Sequence, residues 1–262
     1  MNVTQTQSKF QIQSRNLNNL LESDFERIIK KTTLLWEHQA DAALRIRDHL
    51  KRNKIALCVL PTGAGKSGIA VLSAYACSAR RVLVITPSKH ISKQMFHSFC
   101  DTNGESFLVK REIVKQEEFF NDCRPSCGGI VKNTRDINSY FDCELVISNA
   151  HKFGTNSSVS IEDISSDSID LVIVDEAHHY PAETWRTIVD HFHDAKKVFL
   201  TATPKHNNMD ILPNQERYIC CRVSRQELVQ KGIIRDIIFT DDTDSVDEDE
   251  AFKVNTNLII IF

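Results

Sequence analysis

Apolar and polar positions alternate along this chain in blocks that predict strands and helices taking turns. Unbroken apolar runs recur at Ile55-Ala56-Leu57-Cys58-Val59, Val82-Leu83-Val84-Ile85, Leu145-Val146-Ile147, Leu171-Val172-Ile173-Val174 and Val198-Phe199-Leu200. Short runs of this kind, β-branched and without alternation, suit strands buried on both faces. Between them lie stretches with the helical spacing of three and four. These are 40–52, with Ala43, Leu44, Ile46 and Leu50 on one side, then 68–79, 90–100, and from 181 or 182 to about 193. The alternation predicts an α/β fold with a doubly wound parallel sheet, which places ligands beyond the carboxyl ends of the strands.

The flanks are less regular. Residues 1–33 are polar and rich in Asn and Gln, then take up a helical rhythm through Leu17, Leu20, Leu21, Phe25, Ile28 and Ile29, which predicts a leader followed by an amphipathic helix. In the weakly patterned stretch 101–143, 107–109 and 113–114 read as short strands and 121–129 as turns. A serine-rich loop spans 154–168. Residues 218–223 alternate as a strand that sends one of Cys220 and Cys221 to the core and the other to the surface. A helix over 224–230 and a strand over 233–240 follow.

Composition narrows the class. A chain of 262 residues holds one large α/β domain or two small ones, and 41% hydrophobic content with eight Gly and six Pro excludes collagen-like and broadly disordered chains. No apolar run is long enough to span a bilayer, and the first 13 residues lack a hydrophobic signal core. The expectation is an intracellular protein without membrane contact, nucleus and cytoplasm left open. Eight cysteines in a chain of this size are expected as thiols; Cys123 and Cys127 have near-ligand spacing but no partner pair at zinc-site spacing. The net charge of −3 hides a division, because 241–250 carries seven acids and no base. The remainder is mildly positive, which is compatible with a phosphate-backbone partner.

The chemistry concentrates at the exits of the strands. After the first run comes Leu60-Pro61-Thr62-Gly63-Ala64-Gly65-Lys66-Ser67, then a helix. Gly63 and Gly65 can take angles that turn backbone N–H groups toward an anion, and the helix N-terminus adds positive charge there. Lys66 supplies a point charge for β and γ phosphates, and Ser67 a hydroxyl ligand for magnesium. Leu60 stands where the full pattern has a glycine, so the loop is a variant. At the fourth strand's exit, Asp175-Glu176-Ala177-His178 sets two carboxylates side by side, costly unless a cation meets them. A magnesium nucleotide meets that need, with Asp175 on the metal and Glu176 polarising the attacking water. Gln39 has a carboxamide that can pair with the N6 and N7 edge of adenine.

Taken with Thr86-Pro87-Ser88 and Thr201-Ala202-Thr203-Pro204, these motifs stand in an order that resembles superfamily 2 helicases, the DEAD/DEAH-box-like ATPases. Within them the chain looks most like the branch of type III restriction-enzyme subunits and nucleotide-excision-type helicases. The resemblance covers about residues 34–223 and implies a RecA-like P-loop NTPase domain using ATP and Mg2+. It implies that Gln39 contacts adenine, that Thr62, Gly63, Ala64, Gly65, Lys66 and Ser67 hold phosphates and magnesium, and that Lys66, Asp175 and Glu176 are catalytic. His178, Thr201 and Thr203 would couple the nucleotide to the nucleic-acid groove, which Pro87, Ser88 and Asn149 would line. DNA is expected ahead of RNA.

Such helicases place ATP between two RecA-like domains, the second supplying an arginine to the transferring phosphoryl group. The expected organisation is 1–33 leader and helix, 34–223 ATP-binding domain, and 224–262 a partial extension toward a missing second domain, including the acidic segment 241–250. The expected function is therefore the ATP-binding half of a helicase or translocase, weak as an ATPase until a second domain completes it. A non-catalytic ATP-binding partner protein and a P-loop enzyme acting on a small substrate are the alternatives.

Overall fold

The computed structural model describes residues 22–101, 105–119, 124–125, 128–130, 143–153 and 160–236. Leu17, Leu20 and Leu21, Cys123 and Cys127, the acidic stretch 241–250 and residues 258–262 lie outside them. In chain order the elements begin with helices α1 (Glu22–Lys31) and α2 (Glu37–Leu50), strand β1 (Ile55–Val59), α3 (Lys66–Ala76), β2 (Val82–Thr86) and α4 (Lys89–Cys100). Two short helices, α5 (Phe107–Lys110) and α6 (Gln116–Glu118), precede β3 (Gly128–Ile130), β4 (Leu145–Asn149) and β5 (Leu171–Asp175). Then come α7 (Glu183–His191), β6 (Lys196–Thr201), the hairpin of β7 (Lys205–His206) and β8 (Met209–Asp210), β9 (Ile219–Arg222) and α8 (Arg225–Gln230).

Seven strands form one sheet in the order β3-β4-β2-β5-β6-β1-β9, every neighbouring pair parallel. The period of two divides each apolar run between two cores. Ala56, Cys58, Val84, Ile173 and Leu200 face the side covered by α1 to α5, whereas Leu57, Ile85, Val174 and Phe199 face Trp185, Ile188 and Val189 of α7. Both faces are covered, so neither set can be polar, which is why the strands read as unbroken apolar runs. The register aligns the carboxyl ends: Val59 is opposite Thr201, Leu200 opposite Asp175, Val174 opposite Ile85, and Thr86 opposite Asn149.

The main departures lie outside the sheet's centre. The strand expected at 107–109 is α5, and 113–114 is a turn, with Ile113 N–H donating to Leu108 O at 2.9 Å. Leu108 is buried at 1% exposure, and Phe107 lies beside Gly68 of α3, so this stretch covers a helix. Within the turn-rich stretch, 128–130 pairs with β4 as an edge strand. Of the strand expected over 233–240, residues 233–236 are turn and coil, and the rest lie outside the described residues. The hairpin β7–β8 was not legible as strands; Asn207 and Asn208, both at positive φ, make its two-residue turn. Cys143 is disulfide-bonded, a departure from an all-thiol chain, while five other described cysteines are free. Among the described residues no helix is long and apolar enough to cross a membrane.

Candidate active site

The phosphate loop is held from three directions. Leu60 N–H donates to Thr201 O at 2.8 Å, which ties the loop's entry to the end of β6. Gly63 and Gly65 have φ of +86° and +73°, angles that favour glycine. A Cβ on Gly65 would lie 2.3 Å from Gln39 Nε2, so the position also needs glycine for space. Gln39 is 1% exposed, and its Nε2 donates to Gly65 O at 3.1 Å, while its Oε1 is buried with no hydrogen-bond partner among the described residues. Its amide group thus braces the loop from below.

Lys66 opens α3 and is buried at 9% exposure. Its Nζ lies 3.1 Å from Glu176 Oε1. Glu176 Oε2 in turn is 3.5 Å from His178 Nδ1, and that nitrogen is 3.4 Å from Thr201 Oγ1. Thr201 Oγ1 donates to Thr203 O at 2.9 Å and accepts from Thr203 N–H at 3.1 Å. A continuous polar line therefore runs from the phosphate loop through the β5 exit to the β6 exit. Glu176 takes part with φ +51°, ψ +54°, a left-handed conformation costly for a non-glycine residue and concentrated at functional turns.

Asp175 is the unbalanced member. It is 5% exposed, and its Oδ1 has no hydrogen-bond partner among the described residues. Burial, and after it the adjacent Glu176 charge, push its carboxyl up to about 6 against the pull of Lys66. An orphaned buried carboxylate oxygen on the same strand-exit row as the phosphate loop fits a hard divalent cation. Ser67, half-buried in the first turn of α3 directly after Lys66, carries a hydroxyl of the right donor type.

Pro87, Ser88 and Asn149 gather at the exits of β2 and β4. Asn149 Nδ2 donates to Pro87 O at 2.9 Å, and Asn149 Oδ1 accepts from His151 N–H at 2.9 Å. The Ser88 hydroxyl accepts from Ile91 N–H at 3.3 Å as the N-cap of α4, so its main task here is to start that helix. Thr62 and Gly63 are exposed, and Ala64 is buried with its carbonyl accepting from His38 Nε2 at 2.8 Å.

Sequence reasoning missed four supports. His38 braces Ala64, Trp36 stacks on His38 with ring centroids 5.7 Å apart, and Arg111 lies 4.9 Å over Trp36. Ile234 reaches the Gly63 side of the loop, where its Cγ2 would lie 2.9 Å from an added Cβ. The adjacency of Trp36, His38 and Gln39 was a usable signal. Arg111 and Ile234 arrive from distant segments, and nothing local marks them.

The chain matches the sequence profile of the family described as Type III restriction enzyme, res subunit, over residues 32–206. It is 29% identical over 106 residues to the type I restriction enzyme EcoAI endonuclease subunit of Escherichia coli, covering 39% of this chain and 13% of that protein. Its fold resembles a nuclease-deletion mutant of the type ISP restriction-modification enzyme LlaGI in complex with a DNA substrate mimic. That match has a TM-score of 0.54 at 17% identity and covers 76% of this chain and 20% of the other. It also resembles the ATP-dependent type ISP enzyme LlaBIII bound to DNA, at TM-score 0.50 and 17% identity over 76% of this chain and 16% of that one. The chain spans a fifth or less of the length of each of these three proteins. The family match runs from the approach to Gln39 through the end of the Thr-Ala-Thr-Pro motif, and the chain belongs to the family of type III restriction-enzyme res subunits, its sheet being a RecA-like domain of the superfamily 2 helicase kind.

Proposed function

We propose that this domain binds Mg-ATP at the loop 61–67 and serves as the nucleotide-binding half of an ATP-dependent nucleic-acid helicase or translocase. The observation that carries this is the line from Lys66 through Glu176 and His178 to Thr201, next to the unpartnered Asp175 Oδ1. Lys66 Nζ lies 3.1 Å from Glu176 Oε1, and the β and γ phosphates of a bound nucleotide would replace that carboxylate as its partner. Glu176 is then released to orient a water and accept its proton, and His178 reports the change to Thr201 and Thr203. Ser67 and Asp175 would hold the magnesium, which when bound neutralises phosphate charge. Gln39, already fixed on Gly65, would offer its unpartnered Oε1 to the adenine amino group.

In this reading Pro87, Ser88 and Asn149 face the sugar-phosphate backbone, DNA ahead of RNA. Support for DNA comes from the two restriction enzymes of like fold, described in complex with a DNA substrate mimic and bound to DNA. A second RecA-like unit supplies the arginine for the transition state, worth on the order of a thousandfold or more in rate. Residues 34–223 are the ATP-binding domain, and 224–236 begin the bridge to that unit.

The test is ATP binding and turnover by the purified chain, with and without single- and double-stranded DNA and RNA, beside Lys66→Ala. Tight Mg-ATP binding that Lys66→Ala weakens roughly a hundredfold, with feeble turnover by the chain alone, is the expected result. Brisk turnover without any partner would overturn the half-enzyme reading, and no ATP binding would overturn the site itself.

A further inference from the structure

Directly behind the phosphate loop, three of the free cysteines meet between β1 and β9. The alternation of a strand would send Cys220 and Cys221 to opposite faces. A β-bulge prevents that: Leu57 pairs with Ile219 but Cys58 with Cys221, so Cys220 is the extra residue. Both neighbours consequently sit with Cys58 on the α1–α5 side of the sheet. Cys58 Sγ is 3.5 Å from Cys220 Sγ, and Cys220 Sγ also lies 3.6 Å from Leu57 O. Cys58 is fully buried, whereas Cys220 is half-buried at the sheet's edge strand.

The environments of the three thiols differ. Hydrogen bonding to Cys220 and Cys221, together with burial, holds the Cys58 proton on well above the usual thiol range. The same contact from Cys58 draws the Cys221 thiol below its ordinary value. Among the described residues no group of three or more His, Cys, Asp or Glu side chains is arranged to hold a metal ion. Adjacent thiols without metal geometry, one reachable from solvent and one sealed, are arranged as a reacting and a resolving pair.

We propose that Cys58 and Cys220 form a reversible, hydroperoxide-sensitive disulfide site that staples β1 to β9. Cys220 is the entry point. Its sulfur attacks the peroxide oxygen, the O–O bond breaks, and sulfenic acid and one water form. The Cys58 sulfur then attacks the Cys220 sulfur, the S–O bond breaks, and the departing hydroxyl leaves as water with the Cys58 proton. Two sulfurs lose two electrons in total and the peroxide is reduced to water. A small thiol reverses the step by exchange. Because 162 sequence positions separate the two cysteines, the bond closes a long loop and restricts the unfolded chain strongly. It also joins the strand that feeds Lys66 to the strand whose continuation, Val223 N–H, donates to Val59 O at 3.0 Å.

The experiment is hydrogen peroxide treatment of the folded chain, followed by alkylation of remaining thiols and mass spectrometry of tryptic peptides. Cleavage after Lys54, Lys66, Arg217 and Arg222 places Cys58 in one peptide and Cys220 with Cys221 in another. The expected result is a linked 55–66/218–222 species that dithiothreitol removes, that persists in Cys221→Ser and is absent from Cys220→Ser. Oxidised native chain should also unfold at a higher temperature than reduced chain, with no such difference in Cys220→Ser. Linkage through Cys221, linkage only in denaturant, or oxidation of other thiols while Cys58 stays alkylatable would each overturn the assignment.

Discussion

Two buried lysines sit at opposite ends of the same sheet, and they are satisfied in opposite ways. Lys197, near the start of β6, is 7% exposed and donates to Phe192 O at 2.9 Å, Ala195 O at 3.1 Å and His193 O at 3.5 Å. It closes the carbonyl end of α7, where a cation also meets the helix dipole. Lys66, at 9% exposure, has one carboxylate at 3.1 Å and beside it an aspartate with an unpartnered oxygen. Similar burial therefore coexists with a completed set of partners at the amino edge and an incomplete one at the carboxyl edge. Burial alone does not mark a functional lysine; unmatched polar atoms around it do.

The largest expected effect follows from removing the incomplete lysine. Lys66→Ala should weaken Mg-ATP binding by about 3 kcal/mol, roughly a hundredfold in Kd, measured by titration calorimetry. Comparable affinity in the variant would erase the distinction between the two ends. Asp175→Asn sharpens it from the other side. A carboxyl at about 6 when folded and near 3.8 when unfolded binds protons that the unfolded chain has already released. Native stability without nucleotide therefore falls as pH rises from about 4 to 6 and stays low above that, by about 2–3 kcal/mol. Asp175→Asn should remove this pH dependence in denaturant titrations and raise stability at pH 7, while weakening Mg-ATP binding less than Lys66→Ala does.

Lys197→Met makes the reciprocal test. Leaving buried carbonyls unpaired should cost about 2 kcal/mol of stability, seen as a lower Tm, with Mg-ATP affinity unchanged within about twofold. A matching loss of affinity would mean the two ends are coupled through β6. The smallest effect belongs to Asn149→Ala. Losing its bonds to Pro87 O and His151 N–H should cost about 1 kcal/mol of stability and weaken binding to single-stranded DNA without altering ATP affinity.

Legibility followed locality. The loop 61–67, the pair Asp175 and Glu176, and the motifs around Thr201 were visible because each is a contiguous string at a strand's exit. The pieces 107–109 and 113–114 read as strands because two or three apolar residues fit a strand or a short helix equally well. Only the presence of α3 and α4 beneath Phe107 and Leu108 decided between them. Cys220 and Cys221 show the same limit from another direction, since a bulge, not the alternation, set where both point.

The sequence by itself determined which strands are buried on both faces, where the phosphate loop lies and which carboxylates could serve it. Those properties depend on residues close together in the chain. Tertiary structure decided that Glu176 holds Lys66, that Asp175 is left unmatched, that Gln39 braces Gly65 and that three thiols meet behind the loop. These depend on parallel register and a bulge that bring together segments tens to more than a hundred residues apart, and local spacing carries no record of either.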